Sequence, residues 1–486
     1  MIRAEWLKFR TVRGWTLGLA GAVVLTVLFG LAVAAGSHQS CMQGSVEVRC
    51  PDPPTGPDGQ VVEDRFAFAH RELTGDGSLT VRVAEMTGII TYPPPDHDEI
   101  VDGMVPWAKA GIMIKDGTKP GSRYAAVLLT AEHGVRWQHD FTHDRPGPAS
   151  ARWLRLTRAG TTITGYGSAD GTTWTEVGRT ELGGPALIGL FAASPGNVTR
   201  QDTSVQSRFT QVSAVFDRIS PAGALTYTGV GDGGERTDWE RLHRAPGAQR
   251  DGDRLTLTGS GDIAPAGIAG GMPVERTLAG LLLALVLVVV VAAQFGTAEH
   301  RRGLIRTTLL AEPRRHRVIA AKALVIGAVT FAAGLVATAV TVAWSVRVLT
   351  NGGTFVLPAG TGALLRVVVG GAAVLSLTAV LAYGLGAVLR RGLLAVPAAV
   401  ALAVLPYLLA TAAVLPDAAV QWLLRLTPAA GFAIQQTLPA YAHVQYPYLP
   451  QDGYFPLAPW AGLAVLTAWA ATALGLAVLR LRQGDA

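Results

Sequence analysis

The sequence EHRRGLIRTTLLAEPRRHRVIAAK (Glu299–Lys322) separates two long apolar runs. It holds the densest positive charge of the chain, with two acidic residues, Glu299 and Glu312, against the basic residues Arg301, Arg302, Arg306, Arg314, Arg315, Arg317 and Lys322. Basic residues beside apolar spans orient those spans toward the cytoplasm. We therefore expect a cytoplasmic loop between two membrane helices.

Uncharged runs long enough to cross a hydrocarbon core of about 30 Å predict six spans. They are Trp15–Ala35, Thr277–Phe295, Ala323–Val346, Val367–Leu389, Leu393–Leu415 and Trp460–Leu479. The basic flank before the first span and the even number of spans place both termini in the cytoplasm. A cleaved secretory signal is the alternative for the first run, but that run exceeds the usual apolar region of about 7–15 residues.

The composition separates a membrane part from an acidic insert. The chain is 49% hydrophobic and 16% charged, which is typical of membrane proteins. Between Ser37 and Pro273 there are 22 Lys and Arg against 28 Asp and Glu, whereas the remainder has 19 against 7. The basic excess thus lies beside the apolar spans, and we expect no nucleic-acid partner.

The insert reads as an all-β domain. Short alternating segments separated by glycine-containing turns predict nine to twelve strands, a number that suits a two-sheet sandwich. The main ones are Ser78–Met86, Ala110–Lys115, Tyr124–Thr130, Gly134–His139, Trp153–Thr157, Thr161–Tyr166, Thr173–Val177, Ala186–Ala192, Arg208–Phe216 and Arg254–Thr258. Domain boundaries follow at 1–36, 37–273 and 274–486, with the basic loop at 296–322.

Cys41 and Cys50 are the two cysteines. If this segment lies outside the cytoplasm, we expect a disulfide that closes the short loop between them. Two free thiols are the alternative, and a metal site lacks the further His or Cys spacing it needs.

Part of the insert resembles the concanavalin-A-like lectin/glucanase superfamily. The likeness rests on Val105–Ile114, Ser122–Leu129, Trp153–Leu156 and Ser168–Trp174. It implies a jelly-roll fold for the insert. The paired carboxylates that a glucanase needs on one strand are missing, because Asp96, Asp98, Glu99 and Asp102 follow three prolines in a predicted loop, and so we expect no hydrolase activity.

Two groups of side chains in the insert have competing interpretations. Aromatic rings could stack on a sugar or pack in the core, and the residues in question are Trp107, Tyr124, Trp137 and Trp174. His139, Asp140, His143 and Asp144 contain metal-ligand types, but Arg145-Pro146-Gly147-Pro148 follows, so we interpret them as a polar loop and expect no metal.

The basic loop itself is amphipathic over a short distance. Leu304, Ile305, Thr308 and Leu309 fall on one side of a helix and Arg306 on the other, and the helix should end before Pro313. A helix lying on anionic lipid headgroups would show the same pattern.

Two segments of the chain resemble the corresponding parts of ABC-2-type exporter permeases of bacterial plasma membranes. They are Glu299–Arg315 and Glu5-Trp6-Leu7-Lys8-Phe9-Arg10-Thr11. The resemblance implies a coupling helix that docks on an ATPase subunit, and a second permease copy as partner. On this chain the helix would use Glu299, Arg301, Gly303, Leu304, Ile305, Arg306, Leu309, Leu310 and Pro313.

No G-x-x-x-x-G-K-[ST] motif occurs in the chain, so a Walker A site for ATP is absent and no cofactor is expected. The predicted fold is a six-span α-helical membrane protein with an inserted jelly-roll sandwich. The predicted function is the permease subunit of an exporter, not an enzyme in its own right. A membrane-anchored glycan-binding or sensing protein is the alternative, with an extracellular glycan or protein as its ligand.

Overall fold

The structure, a computed structural model, describes residues 2–91, 99–201, 204–231, 247–301, 310, 314–412 and 414–483. The chain forms two compact units. The helical unit comprises Met1–Pro51, Gly271–Ala440 and Tyr448–Ala486, and the β unit comprises Asp52–Gly270 and Tyr441–Pro447.

Within the described residues, six helical segments of the helical unit are long and apolar enough to cross a membrane, and the fifth of them, Gly392–Thr411, is divided into two helices. Their described bounds, with the shorter helices between them, are α1 Ile2–Thr11, α2 Arg13–Gly36, α3 Gly280–Arg301, α4 Arg315–Asn351, α5 Thr361–Leu389, α6 Gly392–Ala403, α7 Leu405–Thr411, α8 Asp417–Leu426 and α9 Pro459–Gln483. Short 3-10 helices lie at Gly267–Gly270, Val274–Ala279, Pro428–Gln435 and Pro450–Asp452. Six long apolar helical segments and a separate unit rich in β-strands fit the prediction of a multi-pass helical membrane protein with a β domain.

The fifth apolar run is two helices rather than one. α6 contains Pro397, and the break between α6 and α7 falls at Val404, two residues before Pro406. Proline has no N–H to donate and clashes with the preceding turn, so α7 begins with Pro406 in its first turn, where no hydrogen bond is lost.

The helical unit has one large core, to which all six apolar runs contribute. Glycines let the central helices approach closely. A Cβ on Gly296 of α3 would lie 2.7 Å from the carbonyl oxygen of Tyr383, and one on Gly386 of α5 would lie 2.7 Å from that of Ala293. α3 and α5 therefore pack backbone against backbone.

The β unit consists mainly of two antiparallel sheets. The described strands of the chain are β1 Cys41–Gln43, β2 Val46–Val48, β3 Val62–Asp64, β4 Phe66–Leu73, β5 Gly77–Thr91, β6 Ile100–Asp102, β7 Lys109–Lys115, β8 Tyr124–Thr130, β9 Val135–His139, β10 His143–Pro146, β11 Trp153–Ala159, β12 Thr162–Ser168, β13 Thr175–Glu181, β14 Ala186–Ala193, β15 Asn197–Gln201, β16 Ser204–Arg208, β17 Thr210–Ser220, β18 Thr226–Val230, β19 Gly247–Asp251, β20 Arg254–Gly259 and β21 Ile263–Pro265. The first sheet has the order β10-β9-β8-β7-β14-β4-β18, and the second has the order β13-β12-β11-β5-β17-β20-β19, with β6 paired to β5.

The first sheet is buried on both faces at its centre. Alternate residues of β7, such as Ile112 and Ile114, join the core shared with the second sheet. Met113, between them, joins a second cluster on the opposite face that also holds Phe68 and Phe191. This explains why β7 and β8 are buried along their whole length and why their central residues are apolar instead of alternating.

His143–Pro146 forms a strand, β10, where the sequence predicted a loop, and only the turn Asp140–Thr142 lies between β9 and β10. Asp140 and Phe141 have positive φ, 49° and 68°, and turn the chain tightly enough for β10 to pair with β9. The prolines that suggested a loop come at and after the end of β10, which ends at Pro146.

The boundaries of the β unit also differ from the predicted 37–273. Residues that follow the first long helix belong to the helical unit, because Gln39 donates to the carbonyl of Gly352 and Thr354 donates to that of Ser37. Tyr441–Pro447 belongs to the β unit, where the Nε2–H of His443 donates to the carbonyl of Phe141 over 2.8 Å.

Candidate functional site: the supports of the basic loop

Most of the predicted coupling helix lies outside the described residues. This applies to Gly303, Leu304, Ile305, Arg306, Leu309 and Pro313. Glu299 and Arg301 lie in the last turn of α3, and Leu310 is 85% exposed. The structure does describe both supports of this loop, which are the end of α3 and the start of α4.

α1 contributes a third element beside these supports. Glu5 and Phe9, one helical turn apart, are 2% and 1% exposed, whereas Ile2 and Leu7 are exposed. A single turn of α1 thus buries a carboxylate and an aromatic ring, and it does so against α3 and α4.

The buried carboxylate of Glu5 pairs with two lysines. Nζ of Lys322, in the second turn of α4, lies 3.1 Å from Oε2 of Glu5, and Nζ of Lys8 donates to Oε1 over 2.9 Å. Lys322 is 6% exposed and Lys8 is exposed. The pair therefore joins α1 to the helix that follows the basic loop in a site closed to water, where an unpaired charge would be costly.

An aromatic cluster surrounds the ion pair and brings in α3. The rings of Phe9 and Trp15 both meet Phe295 edge to face, at centroid distances of 5.7 and 5.1 Å. Nζ of Lys322 lies 5.1 Å from the centre of the Phe295 ring. The ring of Tyr383, on α5, has its centre 6.0 Å from the centre of the same ring. Phe295 is thus the side chain that connects the end of α3 to the ion pair.

The start of α4 is held from the other side by the last helix. Arg315 donates to the carbonyls of Leu481 and Arg482 near the end of α9. Arg390, which ends α5 in a left-handed conformation, donates to the carbonyl of Arg480 over 3.3 Å. These guanidinium groups satisfy terminal carbonyls that have no partner within α9.

The ion pair was not predicted from the sequence. The sequence places Glu5 and Lys8 in the segment that resembles permeases and Lys322 among the basic residues of the loop, and it predicts no contact between them. The available signal was that Lys322 directly follows Ala320-Ala321 and precedes a 24-residue apolar run, where a charge needs a partner.

The aromatic residues considered for glycan contact are mostly core residues. Trp107, Tyr124 and Trp137 are 7%, 1% and 3% exposed, so their rings are not available to an external sugar. Trp174 is half-buried, with the guanidinium carbon of Arg155 3.9 Å from its ring centre. Of the two interpretations, packing in the core therefore applies to these three rings, of which Tyr124 and Trp137 lie on β8 and β9 and Trp107 lies in the turn before β7.

The His and Asp residues around β9 and β10 pair locally. The rings of His139 and His143 stack at 4.2 Å, and Arg136 donates from Nε to Asp144 over 3.1 Å. Burial alone would raise the pKa of Asp144, but hydrogen bonds from Arg136 and Gln138 outweigh it and lower this pKa. Within the described part of the chain, no group of three or more His, Cys, Asp or Glu is arranged to hold a metal ion.

Cys41 and Cys50 form a disulfide that links the two ends of the hairpin formed by β1 and β2. This hairpin lies in the helical unit, directly after α2.

No family model matches the chain, and no curated protein matches it. A solved structure of a functionally unknown protein from Saccharomyces cerevisiae is similar over 40% of this chain and 97% of that chain, with 16% identity and a TM-score of 0.17. A likeness this low supports no statement about fold or function.

Proposed function

We propose that the chain is the membrane-spanning permease subunit of an ATP-binding-cassette exporter, driven by an ATPase on a separate chain. The observation that carries the proposal is the buried Glu5–Lys322 pair, which links α1 to the base of the basic loop that resembles a coupling helix. A second copy of the chain would complete the transport path.

The contacts around the pair offer a mechanical route. A force on residues 302–313 would act on the end of α3 and the start of α4, because these two helices precede and follow this segment in the chain. Phe295 of α3 and Lys322 of α4 both contact α1, which leads directly into α2. Displacement at the loop would thereby reach three helices through a packed cluster, and packed clusters shift between discrete arrangements rather than deform continuously.

For the β unit we propose the jelly-roll fold on the opposite side of the membrane from the basic loop. Its two antiparallel sheets with a shared core support this fold. The acidic balance of the insert and the disulfide of Cys41 and Cys50 support an extracytoplasmic location, because disulfides persist in oxidising compartments.

The experiment is co-purification of the full chain with candidate ATPases, followed by ATPase assays in nanodiscs. Leu304→Asp and Leu309→Asp place a charge on the apolar side of the proposed docking helix, and we expect each to abolish stable association. Met42→Asp is the control, since Met42 is 66% exposed in the β1–β2 hairpin and lies outside the predicted spans. Association that survives both loop substitutions, or that is lost equally in the control, would overturn the docking role.

A further inference from the structure

A groove of about 200 Å³ runs between α1, α2 and α4. Its walls are almost entirely apolar and include Phe9, Leu19, Val23, Val329 and Ala333. An apolar cavity of about 150 Å³ is enough to take up benzene in a protein core, so this groove has room for a comparable length of hydrocarbon.

The lining residues follow helical faces, which gives the groove a direction. Thr16, Leu19, Ala20 and Val23 are spaced i, i+3, i+4, i+7 on α2. At a rise of about 1.5 Å per residue, they cover roughly 10 Å along the helix, about a third of a hydrocarbon core of ~30 Å. The groove therefore continues from α1 into the apolar span.

Charge is confined to the α1 end of this groove. Arg10 is the charged residue of the lining, and Arg13 follows one turn later in the chain. Both are exposed, and neither forms an ion pair within the described part of the chain. The neighbouring acid, Glu5, is already paired with Lys8 and Lys322, so the positive charge of Arg10 is not compensated by any residue that the structure describes.

We propose that this groove binds an anionic phospholipid, with one acyl chain between α2 and α4 and the phosphate-containing headgroup on Arg10. Guanidinium groups bind phosphate oxygens in a bidentate manner. A basic side chain at the mouth of an apolar groove, on a helix that leads into a membrane span, matches the two parts of such a lipid. The proposal depends on the chain spanning a bilayer and not on its being a permease.

The test is native mass spectrometry of the full chain in detergent with dioleoyl phosphatidylglycerol or dioleoyl phosphatidylcholine. The two lipids share their acyl chains and differ in net charge. We expect one phosphatidylglycerol to bind about tenfold more tightly than phosphatidylcholine, which corresponds to one charge-assisted contact. Equal affinity for the two lipids would mean that the groove is ordinary lipid-facing surface, and it would overturn the proposal.

Two pairs of variants locate the site. Ala20→Phe fills the groove and should remove the tight phosphatidylglycerol, whereas Ala32→Phe, on an exposed position of the same helix outside the lining, should retain it. Arg10→Gln should bring the two lipids to nearly equal affinity, whereas Arg3→Gln, an exposed arginine of α1 outside the lining, should keep the preference. If each control behaves like its partner, the lipid binds elsewhere on the protein and the assignment is wrong.

Discussion

Replacement of Lys322 by Met should destabilise the helical unit far more than the same change at Lys8. Both lysines contact the same carboxylate, at 3.1 and 2.9 Å, but Lys322 is buried and the Lys8 side chain is 46% exposed. Removing one member of a buried pair leaves an uncompensated charge and costs about 3–5 kcal/mol. Loss of Lys8, whose ammonium group is partly exposed to water, leaves Glu5 paired with Lys322 and should cost about 1 kcal/mol or less. Because Lys8 still contacts Glu5 in the Lys322→Met variant, we expect a value near 3 kcal/mol.

The assay is unfolding of the full chain in mixed micelles of a mild detergent and sodium dodecyl sulfate, followed by far-ultraviolet circular dichroism. A double-mutant cycle adds Glu5→Gln, alone and together with Lys322→Met. Most of the cost of Lys322→Met should disappear when Glu5 is already neutral. Equal effects of Lys8→Met and Lys322→Met, or additive effects of Glu5→Gln and Lys322→Met, would refute the idea that the buried pair joins α1 to α4.

Two further predictions concern the β unit. Lys115 is fully buried, and its Nζ lies 2.7 Å from Oδ2 of Asp64. Lys115→Met should therefore destabilise the β unit by about 3–5 kcal/mol, measured by thermal unfolding followed by tryptophan fluorescence. Arg179→Met, which breaks an exposed ion pair, should leave this unfolding unchanged. Burial lowers the pKa of His443 below its ordinary value of 6.5, so the stability that this neutral side chain contributes is full above pH 6.5 and is lost as the pH falls below it. Hydrogen exchange of the backbone amides of Tyr441–Pro447, corrected for the intrinsic exchange rate, should therefore accelerate on acidification. The role of His443 would be contradicted by a corrected rate that does not depend on pH, or by an equal pH dependence in His443→Gln.

Several features of the fold follow from local sequence. The apolar runs predicted the six long helices, because a span of this length without charge has few alternatives to a helix in lipid. Short segments rich in β-forming residues and bounded by turn residues located strands such as β7, β8 and β12 within a residue or two. Sequence reasoning missed β4, a central strand, although Phe66, Phe68 and His70 alternate along it.

The remaining features depend on partners that are distant in the chain. Glu5 meets Lys322 across more than 300 residues. The apolar run after Lys322 indicates that its charge needs a partner, but no local pattern identifies Glu5 as that partner. Whether an aromatic ring of the β unit is exposed also depends on distant parts of the chain, since these decide which faces of a sheet are covered. For Glu299–Lys322, charge and periodicity indicate a basic helix beside a membrane. The contacts that give this segment a route to α1 arise only when α1, α3 and α4 pack together, because a charge–charge contact depends on distance and burial in space and not on position in the chain.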